Sequence, residues 1–410
     1  MAETDPELAA GTKADVPWAE APQLVPKPEG MQYGYVALEG TRPVLHECTQ
    51  EQLEERVASG EAVEVVVPEF DGIAPPSIVE ELWPAVLERE RRRRERERQA
   101  AFVNVLIFGG ISLYAIQSRD PWWQIVLIMF VLFGVVPLLQ YLIGALRRRV
   151  SGEGNFEETR ERTLFGYWLG AGEVTTTTWC VRVLVGVFAL QVLSVSVGTG
   201  NLIGRILANA FVLPLDPLIH SGALVKPLGG EWWRLLTCGL LHGGLLHIGF
   251  NGMAFKAVGE ILERFYGGAV MVLTFFLSVL GGSIASVLLM PGKPSVGASG
   301  GILGLVGFLL VVGVRHRESL PADFAKSIIR SVLFMAALGV LARDYIDNAA
   351  HAGGFLVGCL IALPLSREVS EIGRFREGKL VRSLSWVAIG SMGLATLWVV
   401  FQLLAAAGNF

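Results

Sequence analysis

Nine stretches of this chain are apolar for close to the length a helix needs to cross a bilayer, about 20 residues for about 30 Å of hydrocarbon. They run Phe102–Ile116, Trp122–Leu146, Cys180–Val197, Thr237–Ala257, Ala269–Met290, Gly297–Val314, Ser327–Ala342, Ile346–Leu365 and Leu384–Ala406. Lipid offers no hydrogen bonds, so such runs satisfy their backbone internally as helices. Over 410 residues, 52% hydrophobic and 18% charged at a mean hydropathy of +0.50, there is too much apolar surface for one soluble domain. The expected fold class is an all-α polytopic membrane protein that meets the lipid bilayer along most of its length. Its weakest span is Ser327–Ala342, where Arg330 and Arg343 leave only Ser331–Ala342 uninterrupted.

Loop charges orient the spans. Arg89–Arg98 precede the first run and Arg147–Arg149 follow the second, so both outer ends of a two-helix hairpin, and the N-terminus, are expected in the cytoplasm. Lys256 with Arg264, then Arg315, Arg317 and Lys326, then Arg367, Arg374, Arg376, Lys379 and Arg382 fall on the same side. The opposite side carries few basic residues and one long segment, Gly198–Leu236, whose apolar part Leu202–Leu213 is expected to lie in the interface. The first apolar stretch begins only at Ala101, so internal segments rather than a short N-terminal signal peptide are expected to direct insertion. The Arg-rich run is interleaved with Glu and the net charge is −4, which gives no sign of nucleic-acid binding. Four scattered cysteines, Cys48, Cys180, Cys238 and Cys359, show neither metal-ligand nor disulfide spacing.

Ahead of the spans, residues 1–30 are Pro-, Ala- and acid-rich and read as a disordered tail. A small soluble α/β unit follows over 31–75. Its strands are expected at Tyr33–Leu38 and Ala62–Phe70, around a helix that starts at Thr49, with Gln52 as capping partner, and stops near Gly60. A charged helix is expected over 76–100, the transmembrane hairpin over 101–150 and a linker over 151–176.

Chemistry concentrates in three spans. Gly297-Ala298-Ser299-Gly300-Gly301 opens a run just after the breaker-rich loop Pro291–Ser295, and His351 lies a little over one turn into another run that starts on the same side. A lone serine in a membrane helix more often bonds its own backbone, and a lone histidine more often meets a packing need. Two at one depth point elsewhere: a hydroxyl becomes a nucleophile when a base takes its proton, and imidazole suits that task near neutral pH. In a third span His247 and Asn251 are four residues apart, on one helical face, and could supply donors to an oxyanion. His242, five residues before His247, would point about 140° away on an ideal helix. A metal held by His242, His247 and His351 stays open as an alternative, with no nearby carboxylate to strengthen it. Gly300 with Gly304, and Gly354 with Gly358, form small-xxx-small stripes beside Ser299 and His351 that permit close helix approach.

In this order the residues resemble the rhomboid family of intramembrane serine proteases. The match comprises Trp233-Arg234, His242, His247, Asn251, the Gly259–Glu263 stretch with Arg264, Gly297-Ala298-Ser299-Gly300, and Ala350-His351 with Gly354 and Gly358. The resemblance covers about 177–366 and implies a six-helix rhomboid core, with residues 367–410 as one additional C-terminal membrane helix. It implies Ser299 as nucleophile and His351 as general base of a dyad, and His247, Asn251 and the Ser299 N–H as the oxyanion hole. His242, Trp233, Arg234, Glu263, Gly297, Gly300, Gly354 and Gly358 would be structural, and the short fifth span would be the mobile helix beside the substrate's path. Where many members carry an aromatic residue one turn after the nucleophile, this chain has Leu303. The hairpin and the unit before it lie outside the resemblance.

The expected function is an intramembrane serine endopeptidase that cleaves transmembrane protein substrates near the outer face, in the cell membrane, with no metal or organic cofactor. A catalytically inactive rhomboid-like protein that escorts transmembrane helices is the alternative. A transporter fits less well, because the polar residues cluster near one face and no second copy of the motif appears.

Overall fold

The computed structural model describes residues 17–18, 24–118, 123–152, 154–171, 174–197, 201–366 and 378–408. Most of the expected tail at 1–30, and Arg367, Arg374 and Arg376 of the charge pattern, lie outside these residues. The chain divides into two compact units, Trp18–Gly170 and Ala171–Phe410.

In the first unit, β1 (Val25–Pro26) pairs antiparallel with β5 (Gly72–Ile73). A three-stranded antiparallel sheet has the order β3-β2-β4, from β2 (Gly34–Glu39), β3 (Arg42–Glu47) and β4 (Glu64–Val66). Helix α1 (Gln50–Ser59) carries the expected capping box of Thr49 and Gln52, and ends at Gly60, whose φ of 86° is left-handed. It buries Leu53 and Val57 against Tyr35, Ala37 and Val65. Two features differ from expectation. Strand β3 went unread because Pro43 interrupts its pattern, which is tolerable because the strand is at the sheet edge. Ordered structure also reaches back into 1–30, where Trp18 is 2% exposed and meets Phe165 edge-on.

Helix α2 (Trp83–Gln117) runs unbroken from the Arg-rich stretch through the first apolar run. The second run is α3 (Trp123–Phe130), a π turn at Val131–Val135, and α4 (Val136–Ser151). Residues 151–176, read as a linker, contain α5 (Phe156–Gly170). Charged at its start and aromatic at its end, α5 shows no clean apolar stripe, yet Leu164 joins the core of the first unit and the Tyr167 hydroxyl donates to Glu64 at 3.2 Å.

The second unit is helical: α6 (Thr175–Ser196), α7 (Leu202–Phe211), α8 (Leu215–Ser221), α9 (Arg234–Thr237), α10 (Leu245–Tyr266), α11 (Gly268–Leu289), α12 (Ser299–Arg315), α13 (Phe324–Leu341), α14 (Asn348–Leu365) and α15 (Lys379–Gly408). Seven helices among the described residues are long and apolar enough to cross a membrane, so the chain is an integral multi-pass membrane protein. Two expected spans fall outside that set. Helix α12 has 17 residues, and α10 is diluted by His247, Asn251, Lys256 and Glu260. Outward side chains such as Leu106, Leu288, Val340 and Leu394 are more than two-thirds exposed, as lipid-facing positions are. Helix α7 takes up most of the apolar stretch Leu202–Leu213, and the 80° bend between it and α8 keeps the two from forming one straight span.

Helix α12 is the centre of this unit. Gly300 through Leu309 are all buried, and α10, α11, α13 and α14 surround the helix. At 1.5 Å per residue it spans about 26 Å, less than the hydrocarbon thickness, and its first residue, Ser299, is recessed to half-burial among its neighbours. Its tightest neighbour is α14. A Cβ added at Gly354 would sit 1.9 Å from the Gly300 carbonyl oxygen, and one at Gly358 1.8 Å from that of Gly304. Backbone cannot yield as a side chain does, so the two glycine stripes are a steric requirement. Helix α13 packs chiefly on α12 and buries only Phe324, Ile328 and Gly339. We expect Gly354→Ala to destabilise the purified protein by about 3 kcal/mol or more, read as a lowered thermal midpoint. An unchanged midpoint would mean that the helices are not held at this spacing.

Candidate active site

The chain reaches Ser299 through a loop tied at both ends. Leu224 and Ser295 exchange backbone hydrogen bonds of 2.9 and 3.0 Å, and the Gly297 N–H donates to the Cys238 carbonyl at 2.9 Å. Gly297 has φ +130°, and the helix begins two residues later, with Ala298 offering no side-chain cap. The first N–H groups of α12, including that of Ser299, therefore lack intrahelical acceptors and point toward the recessed end of the helix.

Helix α14 starts at Asn348, and the Asp347 carboxylate accepts from the Ala350 N–H at 3.0 Å as its cap. One turn in, His351 Nε2 lies 2.7 Å from Ser299 Oγ. The two residues are half-buried, so the pair is recessed yet reachable. With the imidazole proton assigned to Nδ1, the hydroxyl donates to Nε2, which is the arrangement an activated serine requires.

Helix α10 begins at Leu245, eight residues later than expected, because Gly243-Gly244 interrupts the run. His242 is therefore in the preceding loop, and the helical angle between it and His247 does not apply: the two rings are 5.1 Å apart, edge to face. His242 is fully buried, and its backbone exchanges hydrogen bonds of 3.2 Å with the Gln191 side chain of α6. His247 Nδ1 accepts from the Gly243 N–H at 3.3 Å. A neutral imidazole with Nδ1 as acceptor carries its proton on Nε2, so Nε2–H is a donor by this assignment. That Nε2 faces Gly297, where an added Cβ would lie 2.7 Å from it and 3.6 Å from Asn251 Nδ2. The Asn251 amide is buried and has no acceptor among the described residues. Two donors from α10 thus converge on Gly297, two residues before Ser299.

The remaining sequence-read residues frame this cluster. Arg234 is buried and donates to the Ile219 and Ala223 carbonyls at 2.6 and 2.8 Å and to Glu231 at 2.8 Å, closing the long loop on itself. Trp233 meets Trp398 of α15 at 5.9 Å. Glu263 accepts from the Thr176 and Thr177 N–H groups at 2.9 and 2.7 Å, capping α6 from a neighbouring helix. Leu303 is buried, and among the described residues no aromatic ring stacks on His351. No cluster of three or more His, Cys, Asp or Glu suited to a metal occurs among the described residues. Sequence reading missed Asp347 and Lys226; an acidic residue just ahead of an apolar run was the available signal for the first.

Gly297→Ala would push a Cβ into His247 at a backbone angle L-residues avoid. We expect it to lower the rate of the hydrolysis tested below by about 100-fold, with Ser299→Ala as the zero-activity control. A wild-type rate would show that His247 is free to move.

The Rhomboid domain family matches residues 229–368. Rhomboid protease GluP of Bacillus subtilis (strain 168) is 40% identical over 152 residues, 37% of this chain and 30% of GluP. RHOMBOID-like protein 4 of Arabidopsis thaliana is 37% identical over 138 residues, 33% of this chain and 35% of that protein. YdcA of Bacillus subtilis (strain 168) is 37% identical over 158 residues, 37% of this chain and 78% of YdcA. This chain spans only about a third of GluP and of RHOMBOID-like protein 4 but most of YdcA. The matched region contains the glycine-packed α12 and α14, the converging α10 and Arg234 itself, and the chain belongs to the rhomboid family.

Proposed function

We propose that this protein is an intramembrane serine endopeptidase that hydrolyses peptide bonds of transmembrane protein substrates. The observation that supports it most is the 2.7 Å contact between His351 Nε2 and Ser299 Oγ, with His247 Nε2 and an Asn251 amide that has no acceptor among the described residues both facing Gly297. Ser299 Oγ attacks the substrate carbonyl carbon while its proton passes to His351 Nε2. The oxyanion accepts from the Ser299 N–H, His247 Nε2–H and Asn251 Nδ2–H. Collapse breaks the C–N bond, and His351 returns the proton to the leaving amine. Water, deprotonated by the same imidazole, then attacks the acyl-enzyme, and the carboxylic product leaves as Ser299 recovers its proton.

Protease names among the relatives support the activity, and the basic-residue pattern supports an orientation with the dyad end of α12 toward the outer face of the cell membrane. A helical substrate segment must unwind before its carbonyl can be attacked, so small or helix-breaking residues at the cleavage point favour the reaction. Helix α13, which packs chiefly on α12 and buries only Phe324, Ile328 and Gly339, is the side from which a substrate helix would approach. Leu303 in place of a stacking aromatic is the one feature that favours the alternative of an inactive protein that escorts helices.

In proteoliposomes with a model transmembrane substrate, Ser299→Ala and His351→Ala are each expected to abolish cleavage. His247→Ala or Asn251→Ala is expected to lower kcat by about 100-fold with KM little changed. Full cleavage by either dyad variant would sink the assignment. In a cysteine-free background, Lys293→Cys is expected to react with an impermeant maleimide from outside intact cells, and Arg317→Cys only after permeabilisation. The reverse pattern would invert the proposed orientation.

A further inference from the structure

Lys226 is a buried cation that the chemistry above does not use. Its side chain is 2% exposed, and its ammonium lies 3.6 Å from Asp347 Oδ2 and donates to the Met290 carbonyl at 3.0 Å. Asp347 is itself 15% exposed at the side chain and gathers four further donors. Its Oδ1 caps Ala350, its Oδ2 accepts from Ser286 of α11, the Ser295 hydroxyl reaches it, and its backbone carbonyl accepts from the His351 N–H at 3.1 Å. Burying a charge is costly without a partner, so each of these two ions holds the other in place.

The position of Lys226 in the chain is informative. Two residues earlier, Leu224 forms the backbone bridge to Ser295, four residues before Ser299. One short stretch of the long loop thus grips the Ser299 arm through its backbone and the start of the His351 helix through an ion pair. A further link between these two arms, Lys293 to Asp344 at 3.5 Å, has both side chains more than half exposed, where solvent and salt screen it.

We infer that Lys226 and Asp347 are positioning residues: their buried ion pair, with the Leu224–Ser295 bridge, holds His351 in register with Ser299. Neither residue touches substrate; each acts through the elements that carry the dyad. The inference rests on the dyad reading proposed above. It assigns the long loop a role in setting the geometry of the reacting pair in addition to covering it.

The test uses the full-length protein in detergent and the second-order rate at which a fluorophosphonate labels Ser299, which needs no substrate. Asp347→Asn keeps an oxygen for the cap but leaves Lys226 without a counter-charge, and Lys226→Met leaves Asp347 without one. Each is expected to slow labelling by about 10- to 100-fold. The double variant, neutral on both sides, is expected to recover most of that loss, which a simple contribution of either residue to folding would not produce. Size-exclusion elution and thermal midpoint are read for every variant, and the recovery in the double variant carries the test even where a single variant is less stable. Wild-type labelling rates in both single variants, or a double variant no faster than the slower single one, would overturn the inference while leaving the dyad intact. A wild type that never labels would overturn the dyad reading itself.

Discussion

The contact between the backbones of α12 and α14 sets everything else in the second unit. A hydroxyl and an imidazole on separate helices meet at 2.7 Å only if the helices touch without side chains between them, and the Gly300–Gly304 and Gly354–Gly358 stripes remove those side chains. Side-chain burial drives helix association weakly in lipid, whose tails are as apolar as leucine, so close backbone packing has to supply the attraction. The spacing that stabilises the helix pair is therefore the spacing that the proposed chemistry requires.

Polar groups at the recessed end of α12 are the counterpart of that contact. The Asn251 amide has no acceptor among the described residues, and the Nε2–H of His247 faces Gly297, whereas nearby polar atoms such as the Arg234 guanidinium are satisfied several times over. Unmatched buried donors are costly in a folded protein and are retained where charge develops during a reaction. Between α6 and α10, Gln191 of α6 and Arg234 and Thr237 of the loop are each spent on backbone carbonyls or amides, while the His242 ring nitrogens, like the Asn251 amide, lack partners among the described residues.

Much of this was legible in the sequence because its signals are local. Span periodicity, the Thr49–Gln52 box and Gly60 set element ends, and the family-ordered set of Ser299, His351, His247 and Asn251 marked a candidate site whose residues the fold brings together. What stayed hidden depends on contacts between distant residues. Lys226 and Asp347 are 121 positions apart, and a lone lysine in a loop carries no mark of burial. Helix α5 shows no periodic apolar face because it buries single aromatics against Trp18 and the sheet's own residues. The start of α10 was set too early, since an apolar composition across Thr237–Leu241 looks the same in a packed loop as in a helix. That error made the angle between His242 and His247 meaningless, although the two-residue pattern His247–Asn251 survived it.

The central claim is that His351 makes Ser299 nucleophilic. Incubating the purified, full-length protein with a serine-directed fluorophosphonate and mapping the adduct by peptide mass spectrometry tests it without knowledge of a substrate. The account predicts a single adduct on Ser299 in the wild type, and none in His351→Ala at matched folding. Modification at another serine, or equal labelling of Ser299 once His351 is removed, would contradict it.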